Sequence, residues 1–173
     1  YSGENNATVN CDFTSTGIKN TTRNMIAETT WNIGGWNINS VYPNQIYEYE
    51  RGTTGYTGRP TTPWTGKIAL AYPSDYGYAA DLNQCKDKTL YDYNNSTCTS
   101  NNWMKAIITN NGWLLTPNSS NSLSVWSVLS SGSVNGNGNA YSAYGAVPVL
   151  SLSSELGIES GDGSSSKPYK LSA

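Results

Sequence analysis

Cys85 and Cys98 bracket a polar loop of about a dozen residues, and no other feature constrains the chain so tightly. Closing such a loop covalently is worth roughly 3 kcal/mol in the chain-entropy model. The residues around the cysteines (Lys86, Asp87, Asn94, Asn95, Ser96, Thr97) are polar, which argues against two buried free thiols. The chain has no histidine and no Cys-x-x-Cys spacing, which argues against zinc. The expectation is a Cys85–Cys98 disulfide, and with it an oxidising location. Cys11 is then the odd one out, either free or paired outside this sequence.

A length of 173 residues suits one sizeable domain and is short for two. Charged residues make up only 13%, with Asn, Ser, Thr, Gly and Tyr in their place. A disordered chain would lack the 13 Tyr and 6 Trp found here. A folded domain with a polar, uncharged, aromatic-rich surface is expected. The net charge is −2 and the ten basic residues are scattered, so neither nucleic acid nor an anionic membrane is an expected partner. No apolar run approaches the roughly 20 residues of a bilayer span. Tyr1 opens directly into polar sequence without a leader, so a processed or truncated ectodomain is expected.

Along the chain, Tyr1–Asn20 reads as a loop or edge strand. A helix of two or three turns is expected from Thr21 to Glu28, then strand formers at Thr29-Thr30-Trp31 and a break at Gly34-Gly35. From Val41 to Tyr56 aromatics alternate with polar residues, which predicts a half-buried strand. Gly52–Pro63 reads as a turn-rich loop, Trp64–Pro73 as a strand and Trp103–Ile108 as a short helix. No charged residue occurs between Lys105 and Glu155. Within that stretch Ser124–Leu129 alternates as a strand, Ser131-Gly132-Ser133 signals a hairpin turn and Val134 starts the return. Asn135-Gly136-Asn137-Gly138-Asn139 then reads as loop, and Tyr144–Leu152 as a final core strand whose Pro148 favours an edge or bulge. Gly161-Asp162-Gly163 makes a turn before Pro168–Leu171 closes the domain.

Catalytic chemistry finds little foothold. Without histidine there is no Ser-His or Cys-His nucleophile arrangement. Glu48 and Glu50 would share one face of a strand, either as paired glycosidase acids or, more simply, as a solvated face answered by Arg51. Asp75, Asp81, Asp87 and Asp92 lack the close spacing of a calcium loop, while Glu159 with Asp162 either holds calcium or decorates a Gly turn. No enzyme activity, cofactor or metal is expected.

Two blocks carry a resemblance. Tyr49-Glu50-Arg51-Gly52-Thr53-Thr54, Trp64-Thr65-Gly66-Lys67-Ile68-Ala69-Leu70 and Tyr72-Pro73-Ser74-Asp75-Tyr76-Gly77-Tyr78 resemble the ectodomains of bacterial prepilin-type surface proteins, which also carry a two-cysteine loop in the region of Cys85–Cys98. The run from Trp113-Leu114-Leu115-Thr116-Pro117 through Val125, Val128, Gly132 and Val134 to Tyr144–Leu150 resembles C-type-lectin-like domains of the formylglycine-generating-enzyme type. It is similar, more narrowly, to variable proteins of diversity-generating retroelements. Their usual Gly-Val-Arg-Pro is Gly145-Ala146-Val147-Pro148 here, without the arginine. Together the blocks cover about two thirds of the chain.

The resemblance implies an α+β, C-type-lectin-like fold over residues 1–173, mainly antiparallel strands with one or two short helices and long loops. It implies a variable ligand-binding hairpin region at about 116–146. Leu123, Trp126, Leu129, Ser131, Ser133, Asn135, Asn137, Asn139, Tyr141 and Tyr144 would face the ligand. An Asn codon changed only at its adenines yields many of the residues present, though not Trp126. The plainer alternative is that Asn, Ser and Gly mark exposed hairpin loops. In physical terms Tyr and Trp give rigid contact area and Ser, Gly and Asn give adaptable hydrogen bonding. The expected function is adhesin-like recognition of a protein or glycan at a bacterial cell surface or pilus. The alternative is a structural pilin-like subunit that packs against copies of itself.

Overall fold

The computed structural model describes residues 17–51 and 61–172. Cys11, most of the N-terminal polar stretch and most of the Gly52–Pro63 loop lie outside them. The described elements run α1 (Asn20–Met25), β1 (Thr29–Ile33), α2 (Pro43–Arg51), β2 (Thr62–Gly66), β3 (Ile68–Leu70), α3 (Pro73–Tyr78) and α4 (Leu82–Cys85). A 3-10 turn (Leu90–Asn94) follows, then α5 (Ser96–Ser100), α6 (Trp103–Ile107), β4 (Gly112–Pro117), β5 (Ser124–Val128) and β6 (Val134–Asn139). β7 (Gly145–Ala146), β8 (Pro148–Leu150), β9 (Gly157–Ser160) and β10 (Lys170–Ser172) complete the order. The class is mixed α+β, with many short strands and short helices.

The chain divides into two compact units. Of the described residues, the larger comprises 30–51, 61–64 and 69–149, and the smaller 17–29, 65–68 and 150–172. The centre of the larger unit is a four-stranded sheet of order β6-β5-β4-β7, antiparallel except for the β4–β7 pair. Val41, Ile46, Tyr76, Leu90, Tyr93, Met104, Leu114, Trp126, Val128 and Val134 form its core with the two disulfide cysteines. Cys85 and Cys98 are joined with a Cα–Cα distance of 5.7 Å. The segment between them is no plain polar loop, because its Leu90 and Tyr93 are buried in that core. Asp81 and Asn95 side chains accept from Asn83 and Thr97 amides and so cap α4 and α5.

In the smaller unit β9 and β10 form an antiparallel pair, with Leu171 opposite Ile158. Gly161 and Gly163 turn the chain between them with positive φ. Ile26 bridges to Leu152, and the Lys67 ammonium donates to the carbonyls of Arg23 and Ile26. The side chains of Glu159 and Asp162 make separate contacts. Glu159 pairs with Lys170 at 2.9 Å, and the Asp162 carboxylate accepts from the Ser164 amide.

Four expectations of secondary structure need correction. The Val41–Tyr56 strand is helix α2 instead: Pro43 opens it with a pre-set φ, and Pro43, Ile46 and Glu50 recur at helical spacing on its buried side. Glu48 and Glu50 therefore share no strand face; Glu48 is exposed while Glu50 is fully buried. The Trp64–Pro73 strand is split at Lys67 into β2 and β3, and Pro73 already belongs to α3. Tyr144–Leu152 is not a core strand but two short strands, β7 and β8, with only Val147 and Val149 packed partly against the core. The fourth correction concerns Asn135–Asn139.

Candidate functional site: the open end of a hairpin

Asn135–Asn139 belongs to strand β6, which pairs antiparallel with β5 through Ser124↔Asn139, Val125↔Gly138, Ser127↔Asn135 and Val128↔Val134. Its glycines are packing residues. A Cβ on Gly136 would stand 2.8–3.0 Å from the Trp126 indole, and one on Gly138 would stand 2.9 Å from the Trp113 ring, the Ser127 hydroxyl and the Val125 carbonyl. The glycines let β6 lie flat against two indoles, so the alternation of Asn with Gly is a strand pattern with small residues buried and amides outside. β6 is also the sheet edge. Its backbone is partly satisfied by side chains: the Gly136 amide donates to Asn39 Oδ1 at 3.0 Å, and Asn118 Nδ2 donates to the Gly136 carbonyl at 2.9 Å.

The ten residues expected to face a ligand separate by position on this hairpin. At its turn, the Leu129 amide donates to the Ser133 carbonyl at 2.8 Å, Gly132 adopts φ 95°, and the Gly132 carbonyl accepts from the Tyr76 hydroxyl at 3.2 Å. Ser133 is buried and its hydroxyl donates to the Tyr91 carbonyl at 2.6 Å. Leu129 is half-buried and Ser131 is exposed. Trp126 is 0% exposed, and its Nε1 donates to the Trp36 carbonyl at 2.9 Å. Trp126 and Ser133 are therefore structural, and the expectation that they face a ligand is corrected: one fills the core and the other pins the turn.

The other end of the hairpin is open. Leu123 is 60% exposed and Tyr141 66%. The Ala140 amide donates to the Leu123 carbonyl at 2.9 Å, which ties the backbones beneath these two side chains together. Asn137 and Asn139 are exposed beside them and Asn135 is half-buried, its Oδ1 accepting from the Asn137 amide at 2.7 Å. Tyr144 is half-buried against Trp113, with ring centroids 4.5 Å apart at 31°. Trp113 was missed in the sequence as a surface residue. The signal was present, because burial alternates along β4 and puts Trp113 on its half-exposed side. None of these side chains carries a charge.

A second polar constellation lies away from this surface, where α2 meets α3. Glu50 is fully buried and accepts from both the amide (3.2 Å) and the hydroxyl of Ser74, with Thr116 Oγ1 at 3.5 Å. Arg51 donates to the Ser74 hydroxyl at 2.7 Å, pairs with Asp75 and lies over the Tyr72 ring at 4.0 Å. Asp75 in turn accepts from the Tyr72 amide at 3.0 Å, closing the first turn of α3. Burial pushes the Glu50 carboxyl up to about 7 against the opposing pull of Ser74 and Arg51. Burial likewise raises the Tyr72 hydroxyl to about 12. A carboxyl poised near neutrality suits acid–base work, but Glu50 has no solvent-facing side from which to reach a substrate. It locks α2 to α3 and β4.

No protein-family model, curated protein or solved structure matches the chain.

Proposed function

We propose that this chain is an extracellular, non-enzymatic recognition domain of C-type-lectin-like type, displayed on a bacterial surface protein or pilus, and that the open end of the β5–β6 hairpin meets the ligand. The observation that carries this reading is that Leu123, Asn137, Asn139 and Tyr141 stand exposed at the open end of the β5–β6 hairpin, while Trp126, Val128, Ser133 and Val134 of the same hairpin are buried. Exposed aromatic and amide groups on a rigid strand combine contact area with adaptable hydrogen bonding at small entropic cost. The ligand is a neutral protein or glycan surface, since the face has no charge to match an ionic one, and its binding depends weakly on salt. No cofactor takes part.

The half-satisfied edge of β6 argues against the rival, a filament subunit that pairs edge to edge, because Asn39 and Asn118 already occupy Gly136. The test is binding of the soluble protein to arrays of neutral glycans and surface proteins, with sedimentation of the same sample. Expected are a monomer and at least one ligand whose affinity falls tenfold or more in the Leu123→Ser/Tyr141→Ser double variant. Self-association that the double variant abolishes, with no heterologous ligand, would favour the filament subunit instead.

A further inference from the structure

Within the larger unit a shallow cavity of about 310 Å³ opens between α3 and α6, lined by Ala71, Asp75, Tyr78, Ala79, Trp103, Met104 and Val149. No residue of the hairpin lines it. Its volume falls at the lower end of small-ligand sites. Trp103 is 64% exposed although α6 is tethered beneath it: its own amide donates to the Ala79 carbonyl at 3.3 Å, and Asn102 Oδ1 caps the helix at the Lys105 amide. Tyr78 is also exposed, braced edge-on by Tyr47 at 6.3 Å. Two aromatic rings thus stand at the rim of an apolar floor made by Ala71, Ala79, Met104 and Val149.

The polar wall is Asp75, and its partners decide the chemistry. Arg51 neutralises its charge from behind, and the Tyr72 amide fixes the second oxygen, so the carboxylate is held rigid. Each carboxylate oxygen has a further lone pair to accept from a ligand donor. A cation would find little net field here, because Arg51 already supplies the matching charge. A neutral ring with hydroxyl donors on its edge and C–H groups on its face matches all three features: apolar floor, aromatic rim and oriented acceptor.

From this geometry we propose that the Asp75–Tyr78–Trp103 cavity is a second binding site, for a neutral pyranose unit of a glycan. Trp103 stacks on the C–H face of the sugar, Tyr78 flanks it, and Asp75 accepts from ring hydroxyls. The site is independent of the hairpin, and it stands even if the hairpin binds nothing.

The test is ligand-observed NMR with the methyl pyranosides of glucose, galactose, mannose and N-acetylglucosamine, and with tetramethylammonium as the cationic probe. Expected is saturable millimolar binding of at least one pyranoside. It should weaken at least tenfold in Trp103→Ala at unchanged Tm, recover in part in Trp103→Phe, and persist in Leu123→Ser/Tyr141→Ser. Tyr78→Ala is the second loss variant, should Trp103→Ala lower the Tm. No saturation with any pyranoside, or binding indifferent to both Trp103→Ala and Tyr78→Ala, would overturn the proposal. Selective, Trp103-dependent binding of tetramethylammonium would overturn it too, by assigning the cavity to a cation.

Discussion

The two ends of the β5–β6 hairpin differ in what holds their side chains. At the turn, Ser133 and Gly132 are buried and joined to Tyr91 and Tyr76 by hydrogen bonds. At the open end, roughly 17–20 Å away for strands of this length, Leu123 and Tyr141 stand in solvent. A serine or glycine at the turn sets the backbone, whereas a leucine or tyrosine at the open end is free to be exchanged. The two ends are therefore separated by burial and hydrogen bonding. On the proposed reading, the anchored turn would let the open end change side chains without losing its shape.

The largest effect that would break this contrast is expected at Gly132. An alanine there would adopt a left-handed φ and place its Cβ 2.4 Å from Thr99 Cγ2. Gly132→Ala should cost about 3 kcal/mol, the sum of left-handed strain and overpacking, in urea unfolding. A cost below about 1 kcal/mol would mean that the turn is not anchored.

Next comes the junction of α2 with α3. The Glu50 carboxyl is raised in the folded state, so the fold holds a proton that the unfolded chain releases between its ordinary value of 4.5 and about 7. Its contribution is complete below pH 4.5 and is lost as pH rises through 7, by roughly 3 kcal/mol. Glu50→Gln should flatten that slope, as read by Tm against pH, while ligand affinity at the open end stays the same. A slope unchanged by the substitution would show that other groups titrate.

Ser133→Ala, which removes the bond to the Tyr91 carbonyl, should cost about 0.5–1.5 kcal/mol. The smallest effects belong to the open end. Leu123→Ser and Tyr141→Ser should each shift stability by less than about 0.5 kcal/mol, because both side chains are mostly solvated. A loss above about 1.5 kcal/mol would place them in the structural class with Ser133.

How far these features were legible in the sequence depended on whether local pattern and packing agreed. The Cys85–Cys98 link, the strand at Ser124–Val128 and the turn at Gly132 followed from spacing, alternation and turn chemistry. Helix α6 was legible too. Helix α2 was not, because Tyr47-Glu48-Tyr49-Glu50 alternates in type while burial follows Pro43, Ile46 and Glu50. A buried glutamate breaks the rule that charge marks the surface, so the polar position counted for the wrong face. β6 was hidden for the opposite reason. Asn and Gly are poor strand formers, and only the indoles of Trp126 and Trp113, remote in sequence, give the glycines a reason to be there. Trp126 itself looked like a contact residue from its place among its neighbours; its full burial and its backbone partner at Trp36 show that it faces inward.

Sequencing the locus across closely related cells, codon by codon from Leu115 to Leu150, tests the recognition face most directly. Expected are substitutions concentrated at Leu123, Asn135, Asn137, Asn139, Tyr141 and Tyr144, with Trp126, Gly132, Ser133, Gly136 and Gly138 constant. Changes spread evenly over both sets, or an invariant hairpin, would contradict a diversified face and leave the open end as ordinary surface.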